Sequence, residues 1–197
     1  MPSSRTRLVV KTAIYTLLAA GAIGAAAGFT VLRAGWYNVG ATQQHFEPVY
    51  RLLEQAMRFS VRRHARGIVT PALGAPQQVL RGATVYHANC ARCHGAPGFA
   101  QDPYGMSLQP MPGPLMDASL RWKPHELYWI TRHGIKMSGM PAWEMHLSEA
   151  DTWAVVAFLD KLPGMSARDY RALTAAPAMP PPITTPAAGA PAGKEAP

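Results

Sequence analysis

The chain has 197 residues, enough for one ordinary domain plus appendages, and its 19 prolines and 17 glycines foretell much irregular structure. A formal net charge of +8 and a pI near 9.9 raise the question of nucleic acid, which the apolar N-terminal segment described next argues against. No Ser/His/Asp set, paired-carboxylate motif or phosphate-cradling glycine loop stands out, so catalysis on a substrate has little support in the sequence.

The first element is apolar. From Thr12 to Leu32 runs an uncharged stretch of 21 residues preceded by Arg5, Arg7 and Lys11. As a helix it spans roughly 30 Å, the hydrocarbon thickness of a bilayer. Trp36 and Tyr37 follow at interfacial depth. The small residues Ala25, Ala26 and Ala27 would suit a cleaved signal peptide, but the apolar region of such a peptide is usually about 7 to 15 residues, so a retained anchor is the expectation for residues 1–35. Either way the basic flank keeps the start of the segment in the cytoplasm and exports the rest.

Residues 36–76 come next, with an amphipathic helix expected from about Gln44 to Gly67. Val49, Leu52, Leu53, Ala56, Met57, Val61 and Ala65 make one stripe, and Arg51, Glu54, Arg58, Arg62 and Arg66 the other. Residues 36–70 hold five Arg against two acids, whereas 71–172 hold nine basic residues against eight acids. The excess charge therefore lies outside the main domain. This helix could pack on that domain, lie on anionic lipid or dock a partner protein. His45 and His64, on or near it, have no supporting motif as ligands.

Pro76 suits the first turn of the next helix, in which Val79, Ala83, Tyr86 and Cys90 recur at helical spacing. At its end stands Cys90-Ala91-Arg92-Cys93-His94, with the chain's two cysteines. This is the pattern of covalent c-type haem attachment: each thiol adds to a haem vinyl group to make a thioether, and the adjacent imidazole reaches the iron. A redox dithiol needs no following His. Zinc is the stronger rival, with Cys90, Cys93, His94 and a distant His125 or His133 completing a tetrahedron, but no second spaced ligand pair is present.

Between His94 and Arg121 the run is rich in Gly, Pro and Met and reads as a loop. Lys123-Pro124 can start a helix that buries Leu127, Ile130 and Trp129 and stops at Gly134. Met140 then sits between Gly139 and Pro141, held extended by the proline, where a thioether can project from a stiff loop. It is the leading candidate for the second axial iron ligand. Met137 is the near competitor, and Met106, Met111, Met116 and Met145 form the wider field. Ser148 and Asp151 make a capping pattern for a last helix with Trp153, Val156, Ala157 and Leu159 inside, stopped by Pro163-Gly164.

Cys90 to His94, the preceding Gly82 and Tyr86, the Met140-Pro141 loop and the helix after it together resemble a class I monohaem cytochrome c domain, over about Gln77 to Pro163. The resemblance implies an all-α cytochrome c fold around one covalent haem c, here preceded by the transmembrane and amphipathic helices. It implies a crossing of the first and last helices at Gly82, Tyr86, Trp153 and Phe158. Thioether attachment falls to Cys90 and Cys93, and axial ligation to His94 and Met140. The haem domain is expected over residues 77–172, with a disordered Ala/Pro-rich tail over 173–197.

The function so implied is electron transfer rather than enzymatic catalysis. A single-pass inner-membrane protein would hold its haem domain in the periplasm and carry single electrons between a dehydrogenase or other donor and a terminal oxidase or another cytochrome, as a free carrier or as a subunit of a redox complex. The alternative is a haem enzyme or gas sensor whose sixth iron position is open or labile. Arg121, Trp122, Lys123 and Trp143 are candidates to hydrogen-bond a haem propionate.

Overall fold

The computed structural model describes residues 3–175, which form two compact units divided between His45 and Phe46. The Ala/Pro-rich tail expected at the C-terminus lies outside the described residues from 176 onward. Every regular element among the described residues is helical, with one isolated bridge between Ala96 and Phe99.

The first unit is dominated by α1, Ser4–Arg33. Ser3 caps it, its side-chain oxygen accepting from the Thr6 amide at 3.3 Å. The helix begins eight residues before the apolar stretch, so its first turns carry Arg5, Arg7 and Lys11. None of its residues is buried within the protein. It is long and apolar enough to cross a membrane, which fits an anchoring role. After it, the Tyr37 hydroxyl is hydrogen-bonded to His45 Nδ1.

The second unit opens with α2, Glu47–His64, which runs into a 3-10 turn at Ala65–Gly67. The expected stripe is only partly correct. Val61 and Ala65 are buried and Met57 is half-buried, but Leu52 is 66 % exposed. The helix turns Val61 and half-buried Met57 inward toward its neighbour, and the apolar strip on the other side is left outside. The neighbour is reached after α3, Pro76–Asn89, α4, Ala91–His94, α5, Pro103–Met106, and α6, Ala118–Arg121. It is α7, Pro124–His133, where the His64 ring stacks on Trp129 with centroids 5.7 Å apart. The guanidinium of Arg58 lies 5.9 Å from the Trp122 ring centre.

The centre of the unit is the crossing of α3 with α8, Glu149–Lys161. Gly82 permits it: a Cβ at this position would lie 1.9 Å from the Ala154 carbonyl oxygen and 2.8 Å from Phe158 Cβ. Next to the contact, Tyr86 and Phe158 pack with ring centroids 5.2 Å apart, an arrangement worth about 1 kcal/mol beyond the area it buries. Trp153 takes another place, stacked on Tyr128 of α7 at 4.2 Å. Every residue of α8 from Thr152 to Leu159 is buried, so the expected stripe widens to the whole circumference.

Two further differences have local causes. In α7 the buried residues are Glu126, Leu127, Tyr128 and Thr131, while Ile130 and Trp129 are half-buried. Glu126 is inside because its carboxylate accepts from the Lys123 amide at 2.8 Å and so caps the helix. The second difference is α9, Ala167–Thr174, which packs on α3 through buried Tyr170. Ser166 starts it by accepting from the Asp169 amide at 3.1 Å, the same Ser-x-x-Asp signal that starts α8 at Ser148.

Candidate functional site

The site begins where α3 ends. Cys90 closes α3 as its last cap, and the chain continues for one further turn as α4 before Gly95, at φ +67°, stops it. The Cys93 and His94 amides both donate to the Cys90 carbonyl, at 3.1 and 2.9 Å. Residues three and four apart share one side of a helical turn, so the spacing presents Cys90, Cys93 and His94 together. Neither thiol is in a disulfide. Cys90 is buried, which together with the nearby Cys93 pushes its thiol up to about 12, while Cys93 is half-buried.

His94 Nδ1 lies 2.8 Å from the Gly113 carbonyl oxygen. A carbonyl only accepts, so Nδ1 carries the proton and Nε2 keeps its lone pair. Burial lowers the His94 pKa, and the hydrogen bond to Gly113 opposes that only in part, so the ring is a neutral donor at neutral pH. An imidazole oriented through one nitrogen and presenting the other is the arrangement that metal ligation uses.

The loop after His94 is built to hold this turn. Gln101 Nε2 donates to the carbonyls of Cys93 and Pro112, both at 2.6 Å, and so ties the turn to the segment that orients His94. Asp102 caps α5 by accepting from the Gly105 amide at 2.9 Å. Gly105 is tightly placed, since a Cβ there would meet Cys93 Cα at 2.8 Å. From the other side the Tyr86 hydroxyl donates to the Gly95 carbonyl at 2.7 Å. No motif singles out Gln101; only proximity in space identifies it.

Gly139, the residue before Met140, lies against Leu108, which follows α5. A Cβ on Gly139 would meet Leu108 Cδ1 at 2.4 Å, and the Leu108 amide donates to the Gly105 carbonyl at 3.3 Å. The turn itself is closed by hydrogen bonds. The Ile135 amide donates to the Met140 carbonyl at 3.2 Å, and the Met140 amide donates to Ser138 Oγ at 3.1 Å. Ser138 Oγ in turn donates to the Ile135 carbonyl at 2.7 Å. Met140 is half-buried in this turn, whereas Met137 sits at its tip with φ +59° and is 66 % exposed.

The remaining candidates have other engagements. Arg121 Nη2 donates to the Pro114 carbonyl at 3.3 Å, Trp122 lies under Arg58, and Lys123 precedes α7 as its cap. Trp143 meets His146 edge-on at 6.1 Å. His133 Nδ1 lies 3.7 Å from Glu144 Oε2 and its ring packs on Trp129 at 5.0 Å. Among the described residues no three His, Cys, Asp or Glu side chains are grouped as a metal-binding set.

Two unpaired thiols on one turn beside an imidazole with a free Nε2 fit the attachment and ligation of haem c. The family model described as cytochrome c oxidase, cbb3-type, subunit III matches residues 77–159, the stretch from α3 to within α8 that carries this turn. No curated protein matches the chain. Residues 77–159 are therefore a c-type cytochrome domain, of the kind that carries covalently attached haem c.

Proposed function

We propose that this protein is a membrane-tethered electron carrier in which Cys90 and Cys93 hold haem c as thioethers and His94 and Met140 ligate its iron. The observation that carries the reading is the hydrogen bond from His94 Nδ1 to the Gly113 carbonyl, which orients the imidazole and leaves Nε2 free beside both thiols. When bound, the haem supplies one-electron redox chemistry at its iron. The chain's part is to hold and tune. Half-buried Met140 offers a neutral thioether, which favours reduced iron relative to a stronger donor. The closed turn from Ile135 to Met140 limits its motion, so ligation need not change between redox states.

The anchor reading rests on α1, and the basic residues Arg5, Arg7 and Lys11 at its start favour a periplasmic position for the haem domain. In that compartment the protein takes electrons from a dehydrogenase or other donor and passes them to a terminal oxidase or another cytochrome. The oxidase named by the matching family supports an oxidase as one partner and a place as subunit of a redox complex.

A visible spectrum of membranes from cells competent in haem attachment tests the reading, taken oxidised and dithionite-reduced, with and without CO. A sharp reduced band of c-type haem with no response to CO is expected. A high-spin spectrum that shifts with CO would replace the carrier by a haem enzyme or sensor, and the absence of covalent haem would refute the attachment at Cys90 and Cys93.

A further inference from the structure

The part of α2 that does not pack on α7 carries apolar and basic side chains together. Leu52 and Phe59 are seven residues apart, two helical turns, and are 66 % and 68 % exposed. Both point away from the edge buried through Val61 and half-buried through Met57. Arg62, Arg63 and Arg66 border this strip.

Charge pairing on the helix is uneven in a way that matters. Arg51 is paired with Glu47 at 2.6 Å and Arg58 with Glu54 at 2.7 Å. Arg62, Arg63 and Arg66 have no carboxylate partner among the described residues. The helix is thus electrically balanced over its first three turns and strongly cationic at its end. An apolar strip bordered by unpaired guanidiniums is complementary to a surface with an acyl interior and anionic headgroups. A soluble acidic protein could match both the charge and the apolar pair; what favours lipid is the short linker that ties α2 to α1.

Chain length keeps such a surface within reach. Helix α1 ends at Arg33 and α2 begins at Glu47. The residues between them, fully extended, bridge at most roughly 45 Å. If α1 spans the bilayer, α2 cannot move far from the headgroups.

We infer that the outer face of α2 docks on the anionic lipid surface of the membrane that α1 crosses, with Leu52 and Phe59 entering the headgroup region and Arg62, Arg63 and Arg66 binding lipid phosphates. This rests on the anchor reading of α1. Docking through α2 restrains the cytochrome domain by a second attachment, because the opposite edge of the helix is packed on α7. Two attachments hold a domain more firmly than a tether alone.

The test uses the full-length holoprotein in vesicles, with Leu52→Cys carrying an environment-sensitive fluorophore and Glu149→Cys, exposed at the start of α8, as the control position. Vesicles are made of phosphatidylcholine alone or mixed with phosphatidylglycerol, and each set contains nitroxide-labelled lipid as quencher. Quenching at position 52 is expected to be about threefold stronger than at 149 in the anionic vesicles, and to fall to the control level when Arg62, Arg63 and Arg66 are changed to Gln.

A chain that resists alkaline carbonate extraction yet shows water-like emission at position 52 in both lipids would overturn the docking and leave the anchor standing. A chain that carbonate extracts would overturn both. Shielding at position 52 that is equal in the two lipids and indifferent to the arginine changes would mean that protein covers the face, and would also overturn the lipid assignment.

Discussion

Gly82 and Ala154 touch backbone to backbone, so closely that a single added methyl on Gly82 would lie 1.9 Å from the Ala154 carbonyl oxygen. The crossing of α3 and α8 is set by that contact. It brings Tyr86 against Phe158, and Tyr86 in turn holds the Gly95 carbonyl at the end of the Cys90–His94 turn. The core and the site are therefore linked through one side chain.

Gly82→Ala should force the two helices apart and cost about 3 kcal/mol, at the upper end of overpacking effects. Gly67→Ala is the matched control, because nothing lies within 4 Å of the Cβ it would add. Denaturant unfolding of the two holoproteins measures the difference. Equal midpoints would show that the crossing tolerates a side chain and that the close approach is not required.

The Arg81 guanidinium and the Asp151 carboxylate form an ion pair between α3 and α8 with side chains only 20 % and 13 % exposed. Burial pushes the Asp151 carboxyl up, but hydrogen bonds from Arg81 and from Ser148 outweigh it and leave the pKa below the ordinary value. A carboxylate with a depressed folded pKa adds stability that is fully present above its unfolded pKa and is lost as pH falls through the folded value. Arg81→Met should cost about 2 kcal/mol at neutral pH, and that cost should shrink below about pH 4. Unfolding curves of both proteins across that range check the sign; a cost that grew in acid would refute the pairing.

Met140→Ala should open the iron to CO in the reduced protein, whereas Met137→Ala should leave the reduced spectrum as in the wild type. The two methionines share one turn, but only Met140 is held by its amide and carbonyl and half-buried, whereas Met137 is exposed at the tip. If the variants behaved the other way round, Met137 would be the ligand.

Gly134 ends α7 just before the same turn. At φ +66° it adopts a conformation that L side chains rarely take, and a Cβ there would lie 2.6 Å from the carbonyl oxygens of both Met140 and Pro141. Gly134→Ala should destabilise the domain by about 1–3 kcal/mol and displace Met140 as well. A weaker Met-to-iron charge-transfer band in the oxidised protein, with the covalent haem retained, would register the displacement. An unchanged band would show that the turn finds another way to place the thioether.

Much of this protein is legible in one dimension, because the information is local. The 21 uncharged residues from Thr12 mark α1 by length alone, and Cys90, Cys93 and His94 are brought onto one turn by their spacing. Pro124 and Ser148 mark helix starts because proline at the first turn and a serine oxygen at the cap satisfy purely local geometry. The α9 start at Ser166 is equally local, but its eight-residue helix is too short to show an apolar period.

What the tertiary structure decided concerns contacts between distant segments, which no spacing encodes. Which face of α2 is buried depends on where α7 lies, and Leu52 and Val61, both apolar, have opposite fates for that reason. The same holds for Gln101, whose amide joins Cys93 to Pro112, and for Gly113, whose carbonyl fixes the tautomer of a histidine 19 residues earlier. A sequence can specify which groups are able to donate and accept; packing fixes which of them meet, since burying a polar group is favourable only where a partner is already in place.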